Sequence, residues 1–236
     1  MIAVFKREFK AYFTSAIGYV TLLVLFFITG VLFSQMYASG YPYIDYLFSN
    51  SAIVAAFIIP VITMRLFSEE RKNKTDQALF CAPVKLRDIV LGKFFAALCL
   101  FAIGFAPTLI YQFIISCMVS TNWLHFIVCY LGILLFGGAL IAIGCFISSL
   151  TESQAVAAIM GLAATLVVML MDSLASMISV SWLSGILGAI SEHSFLQMLT
   201  SFTLGVISPA SIIYFVSIIV LFIFFTVLSL NKRRWK

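Results

Sequence analysis

From Phe94 to Thr151 the chain carries no formal charge, and every Lys and Arg of the molecule falls into one of three short clusters. About 20 apolar residues suffice to cross the roughly 30 Å hydrocarbon core of a bilayer. The uncharged run is therefore long enough for two crossings, with the polar Ser120–Trp123 as the natural hairpin between them. Composition agrees: 63% of residues are hydrophobic and 10% charged, whereas soluble domains are about a quarter charged. The chain is an integral membrane protein by this criterion. Its five cysteines, Cys81, Cys99, Cys117, Cys129 and Cys145, stand singly in apolar surroundings. None has the spacing of a disulfide framework or metal site, and they read as small core hydrophobes.

Charge-free apolar stretches predict an all-α fold of six spans, at about 16–37, 48–67, 93–118, 124–148, 154–176 and 207–230. The basic clusters are Lys6, Arg7 and Lys10; seven residues from Arg65 to Lys93; and Lys232, Arg233, Arg234 and Lys236. Basic residues stay on the cytoplasmic side, so all three clusters belong on one face. Six crossings satisfy this, with both termini, a 68–92 loop, a short 149–153 turn and a 231–236 tail inside. An odd number would strand one terminal cluster outside. A secretory signal at the amino terminus is disfavoured, because the following uncharged run, Ala11 to Ile44, is too long and lacks a clear cleavage site. Instead, Phe5, Phe9, Tyr12 and Phe13 share a helical face, with Lys6, Arg7, Glu8 and Lys10 turned away. Residues 1–15 are expected to lie in the interface as an amphipathic helix.

Within the spans, Pro60 and Pro107 remove backbone donors and should kink their helices, as shaping elements or gating hinges. Gly132, Gly137, Gly138, Ala142 and Gly144, and then Ala157, Gly161 and Ala164, permit close helix approach within the bundle or across a dimer. Asp172 is the one acid well inside an apolar run, a candidate pathway residue or a hydrated group near the outer end of its span. His125 begins the fourth span and His193 lies beside Glu192; neither has a nearby GxSxG-type serine, and protease and metal-site readings lack support from the sequence. Residues 177–206, outside in this topology, should form amphipathic or re-entrant helices packed on the last two spans.

The densest charge lies in MRLFSEERKNKTDQALFCAPV, Met64 to Val84. Ser68 suits a helix N-cap, Glu69 and Glu70 suit the positive first turn, and Pro83 ends the run. A cytoplasmic helix over 68–83 is expected. Topology and anionic lipid explain Arg71, Lys72 and Lys74; Glu69, Glu70 and Asp76 argue for a soluble protein partner.

These residues, followed by LRDIVLGKF, resemble the loop between the second and third spans in permease subunits of type-2 ABC exporters, especially the gliding-motility F-like branch. SSLTESQAVAA, Ser148 to Ala158, is similar to the family's turn between the fourth and fifth spans, and TVLSLNKRRW to its closing segment. The resemblance implies a single permease domain in the bacterial cytoplasmic membrane. It also implies a coupling helix over Glu69–Ala82 that inserts into a separate ATPase, with Glu69, Glu70, Arg71, Lys72, Thr75, Asp76 and Leu79 as contacts. The turn from Thr151 to Gln154, with Glu152, makes a second contact. In the family a Gly often stands where this chain has Lys74, and a basic residue near Gly205 is missing here.

Neither a GxxxxGK[ST] loop nor a catalytic pair is present, and LGKF at Leu91–Phe94 lacks both the upstream glycine and the following hydroxyl. The expectation is a non-enzymatic permease with no cofactor of its own, working with two ATP-binding ATPase subunits, a second permease copy or relative, and membrane lipid, without nucleic acid. Two rivals remain. An ion-driven transporter or channel would need paired ionisable groups near midplane, and a non-transporting membrane anchor for an ATPase would use the same docking helix.

Overall fold

Water is absent from a bilayer core, so an apolar chain there must satisfy its N–H and C=O groups within its own helices. A computed structural model describes residues 1–40, 44–74, 85–119, 121–177 and 194–234, and every regular element among them is a helix. In chain order these are α1 (Ile2–Thr14), α2 (Ala16–Ala38), α3 (Ile44–Thr63), α4 (Arg65–Lys72) and α5 (Leu86–Phe105). Then follow α6 (Pro107–Met118), α7 (Trp123–Leu150), α8 (Gln154–Met177), α9 (Phe195–Thr203) and α10 (Pro209–Arg234).

Among the described residues, five stretches are long and apolar enough to cross a membrane: Ala16–Ala38, Ile44–Lys72, Leu86–Met118, Trp123–Leu150 and Pro209–Arg233. The fifth expected span, 154–176, coincides with α8, whose described apolar part, Gln154–Leu170, is shorter than the other five. The expected third span starts earlier than its uncharged run implies, because α5 begins at Leu86 and carries Lys93 inside it. Pro107 breaks that span into α5 and α6. Of the hairpin expected at Ser120–Trp123, Thr121 and Asn122 lie between α6 and α7, Trp123 opens α7 and Ser120 is outside the described residues; the Asn122 side chain caps α7 by accepting from the Leu124 N–H at 3.0 Å.

The core is organised around α7, which packs against α3, α4, α5, α8, α9 and α10. Its glycines serve packing inside the chain. A Cβ at Gly137 would overlap the Phe101 ring of α5, and one at Gly144 the Thr63 side chain of α3. By contrast α2 and α10 are the least buried of the five, with broad apolar faces turned outward.

The amphipathic α1 packs on α2 and α5. Phe5, Phe9 and Phe13 form a ring ladder with centroids 5.7 and 5.0 Å apart. Burial of Tyr12 pushes its phenol well above the ordinary value, and its hydroxyl donates to the Ile62 carbonyl at 2.9 Å. Glu8 is a correction to the expected face: it does not turn away with Lys6 and Lys10 but points into the bundle, toward Lys93.

The glycine contacts give a direct check. Gly144→Ala should lower stability by about 1–3 kcal/mol through overpacking against Thr63. Gly30→Ala, whose new methyl would meet only the Tyr111 hydroxyl at 3.4 Å, should change the melting temperature in detergent by much less. Equal shifts would contradict the α3–α7 packing described.

Candidate functional site

The charged segment departs from the expected helix at both ends. Leu66, Phe67 and Ser68 are buried, so helix α4 continues through them from Arg65 rather than starting at an N-cap Ser68. The Ser68 hydroxyl donates instead to the Met64 carbonyl, one turn back. Glu69 and Glu70 consequently lie in the second turn, away from the helix start. At the other end a continuous 68–83 helix is interrupted, since α4 stops at Lys72 and Lys74 takes a left-handed φ of 55°. Only glycine adopts that region without steric cost, which gives a physical reason for the Gly that the resembling family often places there. Thr75, Asp76, Leu79 and Pro83 lie outside the described residues.

The capping expected of Ser68 is supplied by Ser148, at the end of α7. Its hydroxyl oxygen accepts from the Phe67 and Ser68 N–H groups at 3.1 and 3.3 Å, and its proton goes to the Met64 carbonyl at 3.2 Å. One side chain thus satisfies the backbone on both sides of the break between α3 and α4.

Beneath α4 is a buried lysine. Lys93 of α5 is only 1% exposed, and its Nζ donates to the Leu66 carbonyl at 2.5 Å. The same ammonium lies 3.0 Å from Glu70 and 3.4 Å from Glu8, and sits 5.2 Å from the Phe67 ring centroid. Arg7 bridges the two carboxylates from the outer side, at 2.6 Å from Glu8 and 2.8 Å from Glu70. Arg65 pairs with Glu69 at 3.0 Å and donates to Ser15 at 2.6 Å. Glu69 and Glu70 therefore have partners within the chain, and the need for an outside partner no longer rests on them. Lys93 itself was missed as a functional position; the available signal is a lysine flanked by apolar residues in LGKFFAALCL.

The two expected docking elements meet. Arg71 reaches from α4 to Glu152 at 2.5 Å and donates to the Leu150 carbonyl at 2.6 Å. Arg233, from α10, donates to the same carbonyl at 3.3 Å. All three basic clusters thus converge at one end of the bundle. Lys72, Asn73, Lys74 and Glu152 form its exposed rim, with Gln154 half-buried at the start of α8.

Of the candidate pathway residues, Pro60 is buried within α3. Its missing N–H leaves the Ala56 carbonyl without its usual helical donor. The Thr165 hydroxyl of α8 donates to that oxygen at 2.9 Å, a repair common at prolines in membrane helices. Gly161, one turn earlier on α8, would place a Cβ 3.3 Å from Pro60. Pro107 opens α6, and the Ile103 carbonyl it would have capped accepts from the Ala106 N–H at 3.0 Å. The side chain of Asp172 lies outside those described.

At the opposite end His125 does have neighbours, correcting the expectation from sequence. Its Nε2 is 2.8 Å from Asp45 and 2.8 Å from the Thr203 carbonyl, and Cys129 joins within 4.8 Å as a possible third ligand. Cys129 Sγ faces the Phe202 and Thr203 carbonyls at 3.4 and 3.7 Å. The group fastens α9 to α3 and α7.

A helical bundle with several helices long and apolar enough to cross a membrane, its basic residues gathered at one end, and no strands among the described residues defines a polytopic membrane protein. Residues 33–230 match the sequence model of the ABC-2 family transporter proteins, and the chain belongs to that family. It is the membrane-spanning permease component of an ABC transporter, a family that typically partners with an ATPase subunit. No curated relative matches the chain.

Removing one partner of a buried ion pair leaves the other charge uncompensated, at a cost of about 3–5 kcal/mol. Glu8 and Glu70 retain Arg7 and some solvent, so Lys93→Met should cost about 2–3 kcal/mol, toward and below that lower bound. Lys6→Met, at an exposed position, should leave the melting temperature nearly unchanged. Equal melting temperatures for the two variants would contradict a central role for Lys93.

Proposed function

We propose that this chain is the permease subunit of an ATP-driven exporter in the bacterial cytoplasmic membrane, with six crossings and both termini cytoplasmic. The convergence of α1, α4, the 151–154 turn and the end of α10 supports the even number of crossings, since it brings every basic cluster to one end. On this reading α8 completes the six, and residues 177–206 lie outside. The earlier resemblance to the gliding-motility F-like branch belongs to the same reading.

The observation that carries the docking proposal is the Arg71–Glu152 contact. It joins the charged helix to the turn that would touch the ATPase second, so both present one continuous rim. In this proposal the rim of Lys72, Asn73, Lys74 and Glu152, continued by Thr75, Asp76 and Leu79, enters a cleft of the ATPase. Two ATPase subunits and a second permease, identical or related, complete the complex. ATP binding draws the ATPases together and pushes α4. Because α4 is joined to α1 and α5 through Glu70, Arg7 and Lys93, the push reaches the bundle and drives alternating access. The short outer segments suit a hydrophobic or amphipathic cargo.

The ion pairs also identify the informative substitutions. Glu70→Lys would disturb the Lys93 cluster itself, whereas Lys72 and Glu152 are exposed. In mild detergent an ATPase should copurify with the wild type. Lys72→Glu combined with Glu152→Lys should reduce its retention and stimulation at least tenfold, while costing no more than about 1 kcal/mol of stability. Copurification of no ATPase, or unchanged stimulation by the double variant, would overturn the docking role. Reconstituted complex should release cargo only with ATP; flux driven by a proton or sodium gradient alone would favour the ion-driven rival.

A further inference from the structure

The start of α5 and the final turns of α10 enclose a groove of about 770 Å³ that neither the docking rim nor the core uses. Its volume falls in the range of about 300–1,000 Å³ typical of small-molecule sites. One end is polar and basic: Lys85 and Arg87 are exposed there, joined by Asn231. Among the described residues neither Lys85 nor Arg87 has a carboxylate partner; Asp88, the nearest acid in sequence, does not line the groove. Lys85 is also the N-cap of the 20-residue α5 and makes no side-chain cap bond. The positive end of a helix therefore faces the same place.

The rest of the groove is apolar. Val220, Phe224, Val227 and Leu228 form a stripe on α10 at helical spacing, with Leu91 of α5 opposite. From Val220 to Asn231 the helix rises about 16 Å, roughly half of a ~30 Å hydrocarbon core. The stripe therefore descends through one leaflet from a basic rim. Val220, Phe224 and Leu228 are 61%, 54% and 47% exposed, so among the described residues nothing covers the stripe.

We propose that this groove binds an anionic glycerophospholipid of the cytoplasmic leaflet. Its phosphate lies between Lys85, Arg87 and Asn231, and one acyl chain lies along the α10 stripe. Charge selects the occupant: a purely apolar groove would accept any lipid, but two unpartnered cations and a helix N-terminus at the headgroup level favour a net negative headgroup. The proposal takes the basic end as cytoplasmic and is otherwise independent of ATPase docking.

Native mass spectrometry of the purified chain, mixed with equal phosphatidylglycerol and phosphatidylcholine, tests it. The wild type should retain phosphatidylglycerol roughly tenfold better, in line with two basic residues at an anionic headgroup. Lys85→Gln with Arg87→Gln should bring the ratio near one, whereas Lys6→Gln with Lys10→Gln, on exposed α1 positions, should not change it. Val227→Trp, filling the stripe, should reduce retention of both lipids while the melting temperature stays within a few degrees of wild type. Equal retention of the two lipids by the wild type, or an unchanged ratio in the Lys85 and Arg87 variant, overturns the proposal. Full displacement by soluble glycerol 3-phosphate would make it a free-phosphate site instead. Efficient disulfide crosslinking of Val227→Cys between two copies would make the groove a subunit interface, and either result overturns the lipid assignment.

Discussion

An ammonium group taken out of water must be met by opposite charge and hydrogen-bond acceptors, or burying it is prohibitively unfavourable. Lys93 is met by Glu70, Glu8 and the Leu66 carbonyl, which come from α4, α1 and the start of α4 respectively. Two segments, α1 and α4, are thereby held to one atom of a third, α5. The rest of the basic end is built outward from this centre: Arg7 closes the two carboxylates, Arg65 ties Glu69 to Ser15, and Arg71 carries the network to Glu152 and Leu150. Exposed ion pairs contribute little. A network anchored on a buried cation can position an element, because each of its members would be left uncompensated by a displacement.

The same logic of satisfying polar groups from neighbouring helices recurs at the two backbone interruptions in α3 and α4. Thr165 supplies the donor that Pro60 lacks, and Ser148 bonds both sides of the break at Met64. Both donors belong to helices that also pack closely on α3, α8 at Gly161 and α7 at Gly144. The irregularities of the second span are thus braced from α7 and α8, whose connecting turn carries Glu152. A displacement of α4 would be transmitted to these helices through hydroxyl and glycine contacts as well as through charge. That is a mechanical property suited to an ABC-2 permease.

Much of the helical layout was legible in the sequence because it depends on local composition. Uncharged apolar runs mark the helices, polar Thr121 and Asn122 mark the break between α6 and α7, and Phe5, Phe9 and Phe13 mark the face of α1. What was not legible depends on which distant residues meet. Ser68 has the chemistry of an N-cap, but burial of Leu66 and Phe67 carries the helix past it, and the cap comes from Ser148. Glu8 and Lys93 read as a surface acid and a topological cation until the fold puts them together. Glu69 and Glu70 read as docking residues because their internal partners are out of sight along the chain. His125 and Cys129 stand one turn apart on α7, a spacing visible in the sequence, but Asp45 joins them only through the packing of α3 on α7.

The central claim is that the Lys93 cluster makes α1, α4 and α5 one mechanical unit. Paired spin labels at Lys6 and Glu69, in a background with the native cysteines replaced, report the α1–α4 distance by pulsed electron resonance, in the chain with Lys93 and with Lys93→Met. A narrow distance distribution is predicted with Lys93, and a broadened or displaced one with Lys93→Met. The same mean and width in both would contradict the account.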